Sequence, residues 1–136
     1  MALERTLLII KPDAVKAKKI GRIIEMVEDA GFQIVDIKML RWTKEEASEF
    51  YAVHREKPFF DGLVEFMTSG AIVALLLERE NAIVTLRKLV GATDPTKAEP
   101  CTIRALYGTD TRRNAVHASD SPESAEFEIN LLFGKR

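Results

Sequence analysis

The sequence predicts an α+β fold, a four-stranded antiparallel sheet with helices packed on one face in the ferredoxin-like manner. Three observations lead there. Short apolar runs of strand type and stripes at helical spacing alternate as strand, helix, strand, helices, strand, helix, strand, helix. Glycines, prolines and capping residues fall at the junctions between them. The 136 residues read as one domain, 1–136, with no internal repeat, low-complexity tract or linker, and a chain of that length buries roughly two-thirds of its unfolded surface.

Thr6 to Ile10 is a short apolar run closed by the turn-forming Lys11-Pro12-Asp13, and it reads as a buried central strand that ends at a lysine. Ile20, Ile23, Ile24, Val27 and Ala30 recur at helical spacing, with Gly31 as the stop. Phe32 to Leu40 alternates as a strand. Thr43 and Glu46 form a capping-box pair, and the helix they start carries Ala47, Phe50, Tyr51 and His54 on or near one stripe until Pro58 breaks it. A short helix from Phe59 to Met67 packs through Phe60, Leu63, Val64 and Met67, and Ser69-Gly70 turns the chain. Ala71 to Leu77 is the next strand. Glu80 or Asn81 starts a helix with Ile83, Leu86 and Val90 inward and Arg87 at the margin, and Gly91 ends it. A loop with Pro95 and Pro100 leads to a helical turn at Ile103 to Tyr107. Ala115 to Ala118 forms the last strand, and Ser121-Pro122 caps a final helix that runs to Phe133.

Composition removes several function classes. Twenty basic against 21 acidic residues give a formal charge of −1, which argues against bulk electrostatic binding to nucleic acid or a membrane surface and makes any anion site local. The single Cys101 excludes an intramolecular disulfide and a multi-cysteine zinc site, so a reducing, cytoplasmic setting is expected. The longest apolar run, Ala71 to Leu77, falls far short of the ~20 residues of a spanning helix, and no signal peptide or membrane anchor is read. No phosphate-binding P-loop, dinucleotide fingerprint, kinase catalytic loop, H-E-x-x-H or C-x-x-C occurs.

One of only two histidines stands in Asn114-Ala115-Val116-His117-Ala118-Ser119-Asp120, among small and hydrogen-bonding residues just before a helix start. Neutral imidazole is a nitrogen nucleophile able to accept and hand on a phosphoryl or acyl group, and Arg112 and Arg113 lie upstream to hold an anion. The other reading of this stretch is a histidine that simply ends an edge strand. Glu128 lies on the flank of the apolar stripe through Ala125 and Ile129, where a carboxylate is costly without a partner.

The run from Asn114 to Ser121 resembles the active-site signature of nucleoside diphosphate kinases. Further stretches resemble that family in order: Glu4-Arg5-Thr6, Ile10-Lys11-Pro12-Asp13-Ala14, Phe50-Tyr51-Ala52-Val53-His54, Lys57-Pro58-Phe59-Phe60, Glu65-Phe66-Met67-Thr68-Ser69-Gly70, Gly91-Ala92-Thr93-Asp94-Pro95, Thr102-Ile103-Arg104 and Ser121-Pro122-Glu123-Ser124. The resemblance implies transfer of the γ-phosphoryl group from a nucleoside triphosphate to a diphosphate, through a phosphohistidine and in a ping-pong cycle. It also implies Mg2+ carried by the nucleotide phosphates rather than by a metal site of the protein. The resemblance makes His117 the catalytic nucleophile, oriented by Glu128 and Ser119. It gives Lys11 to the phosphates and ribose hydroxyl, and Arg87, Thr93 and Arg104 to phosphate. Asn114 goes to a ribose hydroxyl and Phe59 to stacking on the base. Tyr51 and His54 fall near the transferred phosphate, with core packing on the helix stripe as the other reading of both.

Broad base and sugar tolerance follows from contacts that all nucleotides share. The resemblance also implies a homo-oligomer, tetramer or hexamer. Three positions depart from the usual pattern: Ala71 stands where proline is common, Cys101 where glycine is common and Leu106 where an acidic residue is frequent. The last two touch the loop used in family subunit contacts, and the brief tail Gly134-Lys135-Arg136 is shorter than tails that tie subunits together. Two other classes compete. A nucleotide-binding regulatory module that lost transfer leaves His117, Ser119 and Glu128 together without explanation. A single-stranded nucleic-acid binder lacks a basic surface and an aromatic strand.

Overall fold

Strand β1 (Leu3–Ile10) is central because its last four residues, Leu7, Leu8, Ile9 and Ile10, have no polar face and are wholly excluded from solvent. The structure is a computed structural model that describes residues 2–134; Lys135 and Arg136 of the brief tail lie outside the described residues. β1 pairs antiparallel with β3 (Ile72–Glu80) from Leu3↔Glu80 to Ile10↔Val73, and β3 pairs antiparallel with β2 (Gln33–Leu40). On its other side β1 pairs antiparallel with the three-residue β4 (Val116–Ala118), which gives the sheet order β2-β3-β1-β4. This is the ferredoxin-like α+β arrangement. Val35 is an extra residue between the Ile34↔Leu77 and Asp36↔Leu76 pairs, a bulge in the edge strand.

The expectation of helices on one face is corrected. Side chains alternate across a strand, and both sides of β1 enter apolar cores. Leu8 and Ile10 pack with Ile23 and Val27 of α2 (Ile20–Asp29), Leu86 and Val90 of α5 (Ala82–Val90) and Ile103 of α6 (Ile103–Tyr107). Leu7 and Ile9 pack with Ala47 and Phe50 of α3 (Lys44–Phe50), Val64 and Met67 of α4 (Phe60–Met67), and Ala125, Ile129 and Leu132 of α7 (Pro122–Phe133). A side chain of this kind contributes about 1.5–3 kcal/mol when fully buried rather than exposed. No helix among the described residues is long and apolar enough to cross a membrane.

Local sequence explains most boundaries. Thr43 and Glu46 make the reciprocal capping box, and the Ser121 hydroxyl accepts the Ser124 N–H at 3.1 Å to start α7. The turn expected at Lys11-Pro12-Asp13 continues into a five-residue helix, α1 (Pro12–Lys16), with Pro12 at its first position. The helix begun at Thr43 stops at Phe50, and Ala52–His54 continues as a 3-10 turn. β4 begins at Val116 rather than Ala115, because Ala115 has a φ of 77° and lies in the left-handed region. Cys101 has a φ of 70°, which supplies the physical reason for glycine at that place.

The register aligns His117 with Ile9. It therefore shares the face of Leu7, Ile9, Phe50 and Ile129, while Val116 and Ala118 point into the opposite core.

Candidate active site

The N-terminal end of β4 and the C-terminal end of β1 meet in an open cleft of about 570 Å3. Lys11, Tyr51, His54, Phe59, Arg87, Thr93, Arg104, Asn114, His117 and Glu128 all line it. Ser119 completes the set from behind, bonded to Glu128. Side chains from seven separate segments thus converge on one concavity.

His117 Nε2 lies 2.9 Å from Glu128 Oε1, and the Ser119 hydroxyl donates to the same carboxylate oxygen at 2.7 Å. The carboxylate expected to need a partner has two, which explains a buried acid on α7. Glu128 accepts from an Nε2–H, so the imidazole proton sits on Nε2 and Nδ1 keeps its lone pair. Phe50 and Tyr51 hold the ring edge-on, with centroids 5.2 and 6.0 Å away. The contacts with Glu128, Phe50 and Tyr51 fix the position of the ring.

Four cations face this histidine's cleft: Lys11, Arg87, Arg104 and Arg112. Their hydrogen bonds go to neutral oxygens. Arg104 donates to the carbonyls of Gly91 at 3.0 Å and Val116 at 2.9 Å, and Arg87 donates to that of Ala118 at 3.2 Å. Lys11 Nζ donates to Asn114 Oδ1 at 2.7 Å and to the Arg112 carbonyl at 3.3 Å. Carbonyl dipoles orient these groups without cancelling their charge. Burial, with the Arg104 charge second, pushes the Lys11 ammonium down to about 8; Asp13 and Asp110 oppose that fall. Arg104 is lowered to about 10, first by burial and then by Arg87.

Tyr51 and His54 were expected near a phosphate or in the core, and the structure places Tyr51 in the core and in the cleft wall. Its ring packs in the second core, while its hydroxyl is buried without a hydrogen-bond partner in the cleft wall. Burial, and then Glu128, push the phenol above its ordinary range, so it stays protonated and is a donor. His54 Nδ1 and Arg104 Nε are also buried without partners. Unmatched buried polar atoms concentrated in one cleft mark a site shaped for a polar ligand. Phe59 is 43% exposed, beside His54 at a centroid distance of 5.4 Å, whereas Phe60 packs on the core. Asn114 uses both amide hydrogens on the carbonyls of Thr93 at 3.0 Å and Thr111 at 3.1 Å, leaving one acceptor lone pair on Oδ1.

Sequence reasoning missed Thr111, Asp120, Ser124 and Leu63 in the cleft wall, and gave Arg112 only a loose place near an anion. Gly62 is the clue to Arg112: a Cβ there would come within 2.6 Å of its guanidinium, so glycine lets the arginine lie against α4.

Residues 4–136 match the family model described as nucleoside diphosphate kinase. A nucleoside diphosphate kinase of Persephonella marina is 53% identical over 135 residues, 99% of this chain and 96% of that protein. One of Aquifex aeolicus is 54% identical over 136 residues, 98% of this chain and 96% of that protein. A crystal structure of the Aquifex aeolicus enzyme superposes with a TM-score of 0.95 at 53% identity, covering 97% of this chain and 96% of that one. The nucleoside diphosphate kinase of Halobacterium salinarum, solved in complex with CDP, superposes with a TM-score of 0.94 at 43% identity, covering 98% of this chain and 90% of that one.

Proposed function

Because the chain belongs to the nucleoside diphosphate kinase family and so transfers phosphoryl groups between nucleotides through a phosphohistidine, we propose that His117 is the residue phosphorylated, at Nδ1. The observation that carries this reading is the Glu128 contact at Nε2, which leaves Nδ1 as the free nucleophile.

Nδ1 attacks the γ-phosphorus of a nucleoside triphosphate, the bond to the β,γ-bridging oxygen breaks, and that oxygen leaves on the diphosphate. The imidazole becomes cationic as the new P–N bond forms, and Glu128 stabilises that charge, with Ser119 holding Glu128 in place. A second diphosphate then attacks the phosphohistidine and takes the group away. Phosphoryl transfer spreads charge over the peripheral oxygens, so catalysis is mainly positioning plus cationic stabilisation. Arg87, Arg104, Thr93 and His54 address the phosphates. Lys11 addresses the phosphates and the ribose hydroxyl, Asn114 the ribose through its remaining lone pair, and Tyr51 donates to the transferred group. Phe59 offers an exposed ring to any base. Mg2+ bound to the nucleotide phosphates would neutralise part of their charge; the cleft donors, mostly cationic, suit phosphate oxygens rather than a resident metal.

The same reading makes residues 1–136 one catalytic domain, located in the cytoplasm and working as a homo-oligomer, tetramer or hexamer. Exposed Ile37 and Met39 on the unpaired edge strand β2 support self-association.

The decisive experiment incubates the protein with γ-labelled ATP, removes nucleotide and locates acid-labile label. Label is expected on His117, chased off by any nucleoside diphosphate and absent from His117→Ala. Initial rates should give parallel double-reciprocal lines. A folded His117→Ala protein that exchanges phosphate at the parent rate overturns the assignment.

A further inference from the structure

We propose that Asp13 is a positioning residue for phosphoryl transfer, acting on His117 through Ala115 and on Lys11 through its charge. The proposal rests on the reading of His117 and Lys11 given above.

Asp13 is the second residue of α1, directly after the strand end that supplies Lys11. Its Oδ2 accepts the Ala115 N–H at 3.1 Å, and the Ala115 carbonyl accepts the Lys11 N–H at 2.8 Å. The segment Lys11-Pro12-Asp13 therefore grips Ala115 at both ends of its peptide units. That residue needs gripping. Ala115 is fully buried with a φ of 77°, a conformation that costs about 1–2 kcal/mol for a residue with a Cβ. Only Val116 separates it from His117, and β4 has just three residues paired to β1, too few to hold the nucleophile's direction alone. The clamp determines where the imidazole leaves the backbone.

The charge needs a separate explanation. Asp13 Oδ1 is buried without a hydrogen-bond partner, and burial raises the carboxyl above its ordinary range. An asparagine would supply the same acceptor to Ala115 with no ion to desolvate. What the carboxylate adds is a negative charge near Lys11. Arg104 of α6 and Arg112 of the loop before β4 both disfavour the Lys11 ammonium, and Asp110 of that loop is the other anion in its favour. Arg87, His54, His117 and Glu128 line the same cleft. Asp13 keeps Lys11 cationic in a setting that otherwise drives its proton off.

The test is the single-turnover rate of His117 phosphorylation by limiting ATP, followed from about pH 6 to about pH 9.5, for the parent, Asp13→Asn and Asp13→Ala. Circular dichroism checks that each is folded. In the parent the rate should fall as pH rises through about 8, where Lys11 loses its proton. Asp13→Asn retains the acceptor and loses the charge, so the rate near neutrality stays within a few-fold while the alkaline fall moves about one unit lower. Asp13→Ala also loses the clamp and should be slower by about tenfold or more at every pH, as misplacement of a reacting group implies. An alkaline fall in Asp13→Asn at the parent's pH overturns the charge role, and parent rates in Asp13→Ala overturn the clamp. Should Asp13→Ala fail to fold, the position of the alkaline fall in Asp13→Asn decides. Parent label on a residue other than His117 overturns the underlying reading together with this one.

Discussion

At Cys101 the backbone and the side chain disagree. A φ of 70° suits glycine, and a side chain there costs about 1–2 kcal/mol of strain. The cysteine is exposed and makes no compensating contact in either core. Cys101→Gly should therefore raise the unfolding free energy by about 1 kcal/mol, after glycine's larger chain entropy is deducted. Urea unfolding would show it as a higher midpoint at unchanged slope, and an unmoved or lower midpoint refutes it. The departure at position 101 was visible in the sequence as a cysteine where glycine is common. Its cause was not, because the sign of φ is set by where the chain must go next. Asp13 escaped sequence reading for the same reason: nothing local in Lys11-Pro12-Asp13 announces a bond to a residue about a hundred positions away.

Between elements, the proposed mechanism takes its nucleophile from β4 and the acid that aims it from α7. Ser121 caps α7 and the helical turn brings Glu128 back over β4, so the 2.9 Å contact depends on a strand and a helix agreeing in register. Glu128→Gln tests the contact without changing its shape. The amide can turn its N–H toward Nε2 and leave the ring proton on Nδ1, the nitrogen that must attack. It also removes the charge that stabilises the developing imidazolium. We expect kcat to fall on the order of 10²-fold, the scale of lost preorganised electrostatics, with little change in nucleotide dissociation constants. An unchanged kcat would leave Glu128 with packing alone. Elements were legible wherever a stripe or a cap was long enough to show its period, as in α2 and at Thr43. α1 was not, since five residues give less than two turns. The one-faced sheet was a misreading of a visible signal: Leu7 to Ile10 is apolar throughout, and a run without alternation marks a strand covered on both faces.

Across the whole molecule, the candidate residues came together because strand ends and loops from distant parts of the chain open on one side of the sheet. The resemblance identified their types; their burial and partners came only with the fold. On the proposed assignment the cleft addresses features common to all nucleotides, and Phe59 offers a ring face rather than hydrogen bonds to a base edge. Phe59→Ala should weaken ADP, GDP, CDP, UDP and dTDP together, by about 1–3 kcal/mol each, the usual size of a lost stacking partner. The measurement is kcat/KM for all five with parent and variant; loss confined to one base, or discrimination beyond roughly 10⁴-fold in the parent, defeats the reading. Backbone carbonyls hold the cleft cations in place without neutralising them. Lys11 is disfavoured by Arg104 and Arg112, and Arg104 by Arg87, so like charges press on one another within a chain whose total is −1. A salt bridge to each would have relieved that pressure and made the fold self-sufficient. Instead, among the described residues none of the nearby acids forms a salt bridge to these cations, and on the proposed reading a phosphate chain completes electroneutrality in the cleft. The substrate then acts as the counterion of the fold, exchanged at every half-cycle.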